Sequence, residues 1–380
     1  MHTNTFDDKR TIGGKDEYTA LGYYGETPES PNGRLIAYTR FLRIPASRGE
    51  IIPAELWVCD RAAKTARRKI VDVPVANTHN GVSAQWLDDH HLVYECEPSR
   101  RVQAVNIDTG THLLAEPVAG EAGHATFGGR FLVTRHGASA AENGILECDP
   151  FSGKVRMICS IENLLPAMAT HRAAWWAPPD LWTTCHGQYC DDGSLVSLRV
   201  TVANEKTMVA HDLPQGLKQM LVTCRIDGNG SDAVCFGTKP MHFLWYDENT
   251  LLGHDNQVDD GQPDDRSMRR WTRQGDFIET LAGPGCHGAL SPDKQWVASE
   301  SWYSENPVLL RLFRTGDTTA TAVLMQTSHV HSTWVLANHV NPSFSRDSRR
   351  VYFNAPRADG SCCIAFAEVD SAGGTFHKGE

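Results

Sequence analysis

The apolar positions of this chain come in short alternating runs, each closed by a polar turn and followed by another short run. Segments of this kind are SPNGRLIAYTR (30–40), QWLDDHHLVYE (85–95), TFGGRFLVTR (126–135), WAPPDLWTTC (176–185), LWYDENTLLGH (244–254), LSPDKQWVAS (290–299) and FSRDSRRVYFN (344–354). Period-two alternation bounded by Asp, Gly, Pro and Ser predicts strand–turn–strand units. A second hairpin follows each of them, at 56–71, 102–115, 144–159, 221–236, 268–282, 309–324 and, in shorter form, 363–370. The turns of these second units (DTG, SGK, DGNG and TGD) carry hairpin chemistry.

Two hairpins make a four-stranded blade. Units recurring at roughly 40–65 residues have the period of a propeller blade with insertions. Closing the blades into a ring leaves only short, protected edges. The pattern therefore predicts an all-β chain, a seven-bladed β-propeller, as one domain over 1–380. Residues 1–25 are expected to form an N-terminal extension that contributes a closing strand. Only ENLLPAM (162–168) reads as helical, for about one turn.

Composition narrows the function classes. Apolar residues make up 41% of the chain, so it is globular. A formal net charge of −10 argues against nucleic acid as a partner. The N-terminal stretch has no apolar segment of the kind a signal peptide needs, and no run is long enough for a membrane span. The eleven cysteines are scattered and odd in number. That is not a disulfide framework, and a cytoplasmic setting is expected. No G-x-S-x-G, P-loop or HExxH pattern is present, so serine-hydrolase and dinucleotide chemistry have no support.

Histidines supply the candidate chemistry. His242, His287 and His339 each stand just before an inner strand of blades five, six and seven. Equivalent positions on successive blades converge at one end of a propeller channel. Three imidazoles with an open coordination position suit Zn²⁺ or Mn²⁺, and Ca²⁺, which prefers oxygen, suits them less well. Cys286 beside His287, and the pair His329 and His331, are spare ligand candidates. His79 in blade two and His171 in blade four occupy similar pre-strand positions, and His79 is a candidate general base. Arg199 is a candidate clamp for a carboxylate. His124, His136 and His186 are weaker candidates.

The run H-x-N-P-S-F-S-R-D with VYFN, the element C-H-G-A-L-S-P-D and the element M-H-F-L-W together resemble the oligogalacturonate lyases and their ulvan and rhamnose–glucuronate lyase relatives. The stretches 137–161 and 218–232 are also similar, so the resemblance runs from about residue 77 onward. It implies a seven-bladed propeller that cleaves uronate glycosides by β-elimination. In it His287 matches a metal-ligand position. His242 matches a base in the oligogalacturonate lyases and a metal ligand in the ulvan-type relatives. The blade-seven ligand histidine is replaced by Asn341, with His339 two residues earlier, and a glutamine used by some members is Leu336. His79 and His171, with Arg199 as clamp, match the base arrangement of the ulvan-type enzymes.

The resemblance thus implies a lyase acting on uronate-containing oligosaccharides, with a divalent metal or Arg neutralising the substrate carboxylate and a histidine as base. Arg172, Arg269 and Arg270 are further cations for an anionic sugar. The alternative is a non-enzymatic propeller that binds a partner and uses the histidines as a structural metal site. A propeller lactonase would need an acidic Ca²⁺ set at the inner-strand starts, which the sequence lacks.

Overall fold

In the computed structural model the described residues are 10–14, 16–46, 50–64, 66–96, 100–172, 182–202, 219–237, 241–254, 266–301, 305, 307–327, 339–357 and 361–369, without the side chains of 75, 170–172, 202, 219, 237 and 241. They form seven four-stranded antiparallel sheets and one helix, and the architecture is a seven-bladed β-propeller. The first strands of the blades are Tyr18–Ala20, Gln85–Trp86, Glu121–Phe127, Trp182–Tyr189, Met241–Trp245, Gly288–Leu290 and Ser343–Phe344. Among the described residues no helix is long and apolar enough to cross a membrane.

A recurrent turn joins first and second strands. In blade six the Ser291 hydroxyl donates to Asp293 at 2.6 Å and accepts from the Trp296 amide at 2.9 Å. In blade seven Ser345 donates to Asp347 at 2.7 Å and accepts from the Arg350 amide at 2.8 Å. Blade one repeats the arrangement with Ser30, Asn32 and the Leu35 amide, and blade four with the Cys190 thiol, Asp192 and the Leu195 amide. The turn needs a left-handed residue three positions after its first. Gly33 and Gly193 meet this at φ 69° and 70°, while Lys294 and Ser348 adopt φ 59° and 61°. Side-chain capping of this kind turns a polar pentapeptide into a fixed corner.

Packing divides the chain into two compact units, residues 1–98, 105–111 and 280–380 in one, 99–104 and 112–279 in the other. The first has a core that includes Ile52, Leu56, Val58, Trp86, Leu92, Trp296, Leu310, Leu312, Val351 and Phe353. In the second, Leu132, Ile145, Val196, Leu198, Val200, Met220 and Val222 pack together with Leu164 and Met168 of the helix Ile161–Arg172. That helix runs for twelve residues, not the single turn the sequence suggests, because Ile161, Leu164 and Met168 give it an apolar stripe to bury. Pro166 sits inside it.

Two strand assignments differ from the sequence expectation. The first hairpin of blade four is Trp182–Tyr189 with Leu195–Val202, turning at 190–194 rather than within 176–185. Residues 173–181 lie outside the described set. The stretch 30–40 holds only a turn and the second strand of blade one, Leu35–Phe41, whose partner Tyr18–Ala20 lies in the segment expected to be an extension.

Blade seven is completed from the other end of the chain. Its fourth strand is Thr11–Ile12, with Thr11 opposite Ala365 and Ile12 opposite Ile364 on Cys362–Glu368. The tie is reinforced by Glu29, whose carboxylate is fully buried. It pairs with Arg61 at 3.0 Å and accepts from the Tyr352 hydroxyl at 2.6 Å and the Arg346 amide at 2.9 Å. A buried charge that loses its partners is expensive, and so are partners that lose the charge.

Glu29→Ala is therefore expected to cost about 3–5 kcal/mol in urea unfolding. Glu50→Ala, at the exposed pair with Arg43, should cost about 1 kcal/mol or less. Equal losses would show that Glu29 does not hold the junction. Asp347 gives a pH prediction. Burial pushes its carboxyl up, but Ser345, Arg61 and the Arg349 amide outweigh this and hold it at about 2, below its ordinary 3.8. A depressed carboxylate stabilises the fold above its unfolded value and loses that contribution as pH falls through its folded one. Asp347→Asn should flatten the stability profile between those two values, and an unchanged acid limb would contradict this.

Candidate metal centre

Blade six builds its half of the site through strand register. Gly288 lies opposite Ser299 and Ala289 opposite Ala298, so the next pair outward is His287 and Glu300. The backbone extends the ladder: the Glu300 amide donates to the His287 carbonyl at 3.1 Å and the Cys286 amide to the Glu300 carbonyl at 2.8 Å. The two side chains meet as a short ion pair between His287 Nδ1 and Glu300 Oε1. Both are buried.

His339 comes from the approach to blade seven. Asn354 fixes it by donating from Nδ2 to the His339 carbonyl at 3.0 Å, while its Oδ1 accepts from the Leu21 amide at 2.8 Å. The His339 Nδ1 then lies 3.4 Å from the same Glu300 Oε1. The His287 and His339 rings stand nearly perpendicular at 4.6 Å. Tyr24 stacks on His287 at 4.7 Å, and Tyr23 meets it edge-on at 5.8 Å. On the other side His79 meets His339 edge-on, again at 4.6 Å. His79 lies in the turn after the strand Arg67–Asn77, where its amide donates to Asn77 Oδ1.

One carboxylate thus serves two imidazoles. Burial alone would raise the Glu300 carboxyl, but the charges and hydrogen bonds of His287 and His339 hold it well below the usual carboxylate range. With both Nδ1 atoms turned to Glu300, Nε2 is the nitrogen each ring would offer a cation, giving up any proton there on binding. This is the arrangement in which an outer carboxylate fixes tautomer and ring orientation for a metal ligand. His287, Glu300 and His339 also offer donor atoms within 4.8 Å of one another, so a cation bound by Glu300 itself is the competing arrangement.

The fit to a metal has further support. Asn341 is buried with φ 45°, a strained conformation for a residue other than Gly. Its Nδ2 donates to the Gly22 carbonyl at 3.0 Å, and its amide to Glu300 Oε2 at 3.3 Å. That fixes the amide orientation, yet its buried Oδ1 has no hydrogen-bond partner among the described residues. Thr78 Oγ1 and Asn80 Oδ1, on either side of His79, are in the same condition. Buried acceptors left unsatisfied call for a ligand, ion or water. Two imidazoles suit a borderline divalent cation.

Of the six residues singled out for catalysis or metal binding, His79, His287 and His339 are together in this cluster. His242 opens blade five with φ 46°, and its Nδ1 lies 2.8 Å from His254 Nε2. Arg199 is on the second strand of blade four, opposite Cys185. Burial pushes the Cys185 thiol up to about 12 against the pull of the Arg199 charge. His171 lies in the helix Ile161–Arg172 rather than directly ahead of a strand, and its side chain, like that of Arg172, is outside the described residues. So are His329, His331 and Leu336. Arg270 is engaged by Asp247 at 2.6 Å and Glu279 at 3.1 Å. Neither Glu300 nor His254 stands out in the sequence. Extending the blade-six hairpin by one rung would have paired His287 with Glu300.

No family model matches the chain, and no curated protein matches it. Solved structures do. An oligogalacturonate lyase in complex with manganese is similar at a TM-score of 0.64 with 14% identity, over 97% of this chain and 96% of that one. An oligogalacturonate lyase from Vibrio parahaemolyticus is similar at 0.60 with 14% identity, over 96% and 95%. A prolyl endopeptidase is similar at 0.58 with 12% identity, over 96% of this chain and 48% of that one. At such identities the likeness establishes the fold. That the same fold serves a peptidase shows why function must be argued from the site.

Proposed function

We propose that the protein is a metal-dependent lyase that cleaves uronate-containing oligosaccharides by β-elimination. The observation that carries this is the Glu300 carboxylate holding two imidazoles by their Nδ1 atoms, with a third imidazole, His79, against that of His339. The likeness over nearly the whole chain to an oligogalacturonate lyase in complex with manganese supports the reading. His287 and His339, through Nε2, and Asn341, through Oδ1, would hold the cation. When bound, Mn²⁺ or Zn²⁺ supplies positive charge that neutralises the substrate carboxylate and so acidifies the C5 proton.

The chain's own residues do the rest. Glu300 keeps both imidazoles in one tautomer. His79, as a neutral imidazole, takes the C5 proton. The electrons of that C–H bond form the C4=C5 double bond, the C4–O bond breaks, and the departing oxygen takes a proton from solvent water while the His79 imidazolium returns its own to solvent. Tyr23 and Tyr24, packed on His287, fix its ring and restrict water at the cluster.

The test follows the ultraviolet absorbance of the conjugated double bond while the protein is incubated with galacturonate, ulvan-type and rhamnosyl-glucuronate oligosaccharides, with and without Mn²⁺ or Zn²⁺. One substrate class should give a metal-dependent rise. His79→Gln should lower the rate on it by about 10²–10⁴-fold, the contribution of a general base. A flat trace on every sugar from folded, metal-loaded protein would favour a binding propeller with a structural metal.

A further inference from the structure

A second group of metal-competent side chains lies in the other compact unit and shares no residue with the first. It consists of Glu121, His124 and His186. Both histidines sit in β-bulges of first strands. The ladder of blade three shifts between Ala122 and Thr126, around His124. That of blade four shifts between Cys185 and Gln188, around His186. Bulges re-aim a side chain that a regular strand would send elsewhere. His186 also has φ 55°, a conformation that costs a non-glycine residue about 1–3 kcal/mol and persists only where its surroundings enforce it.

Each histidine has a glycine beside it, and the pair of glycines explains the enforcement. A Cβ on Gly123 would fall 2.7 Å from the Gly187 carbonyl oxygen and 2.8 Å from Leu132 Cβ. One on Gly187 would fall 2.6 Å from Ile145 Cδ1. The two bulges therefore approach as closely as backbone allows, and that approach brings the His124 and His186 rings to 4.8 Å.

The donor atoms converge as well. His124 Nε2 and His186 Nδ1 are 2.6 Å apart, and Glu121 Oε1 is 3.4 Å from the same His186 Nδ1. Arg100 Nη1 binds the other carboxylate oxygen, Glu121 Oε2, at 2.7 Å, which turns Oε1 toward the imidazoles. Glu121 and His186 keep 14% and 16% of their side-chain surface, so an ion can reach the group from solvent.

The geometry points to a second divalent-cation site, made by Glu121 Oε1, His124 Nε2 and His186 Nδ1, with Arg100 orienting the carboxylate. Two imidazoles and one carboxylate with open coordination positions suit Zn²⁺, Co²⁺ or Mn²⁺ better than Mg²⁺ or Ca²⁺, which select all-oxygen sets. The inference rests on no part of the lyase reading, since it concerns binding alone.

The test is the metal stoichiometry of tag-free full-length protein, stripped with chelator and titrated with Zn²⁺ or Co²⁺ by calorimetry. Wild type should bind an ion that the double variant His287→Gln/His339→Gln still binds. Adding His124→Gln and His186→Gln to that variant should abolish it, with the circular dichroism of the β-sheets retained. Should the combined variant fail to fold, Glu121→Gln in the wild-type background should weaken one class of sites by roughly tenfold or more. A folded His124→Gln/His186→Gln protein with wild-type stoichiometry and affinities would overturn the proposal, as would an unchanged Glu121→Gln titration.

Discussion

Everything at the candidate centre depends on one buried carboxylate. Glu300 has almost no exposed surface, and its oxygens are taken by His287, His339 and the Asn341 amide. A bare carboxylate in such a place would be several kcal/mol unfavourable. What offsets that cost is the donation from two imidazoles, and the same donation sets which ring nitrogens stay open. Stability and ring orientation are therefore coupled at this point. Removing the charge would release both rings, and removing a ring would strand the charge.

The propeller delivers these groups by local rules. A capped polar turn sets the hairpin register, and the register places His287 across from Glu300. Asn354 and the N-terminal segment hold the His339 backbone. Glu29 and the Thr11–Ile12 strand tie the beginning of the chain to blade seven, so Tyr23 and Tyr24 arrive where His287 needs packing. In the other unit, glycine-enforced contact between two bulges does the comparable work for His124 and His186.

How much of this could be read beforehand follows from where the information lies. Seven repeats of strand and turn chemistry are local, so the propeller was legible. His287 and His339 were legible because they precede strands in the same way on successive blades. Glu300 gives no sequence signal, since VASES reads as ordinary strand, and its position across from His287 appears only when the ladder is carried one rung beyond Gly288 and Ser299. His124 and His186 are hard to single out in sequence because bulges leave little trace there beyond an adjacent glycine. Blade four reads out of phase in the sequence because WAPPD looks like a turn, whereas the capped turn is CDDGS, with a thiol in place of the usual serine.

The most direct test of the central claim is anomalous diffraction from crystals of the full chain soaked in Mn²⁺ or Zn²⁺, measured near the metal edge. A peak bonded to the Nε2 atoms of His287 and His339, with Glu300 still on both Nδ1 atoms, is the predicted result. An ion bound directly by Glu300 with the imidazoles turned away, or no peak at this cluster in metal-soaked crystals, would contradict it.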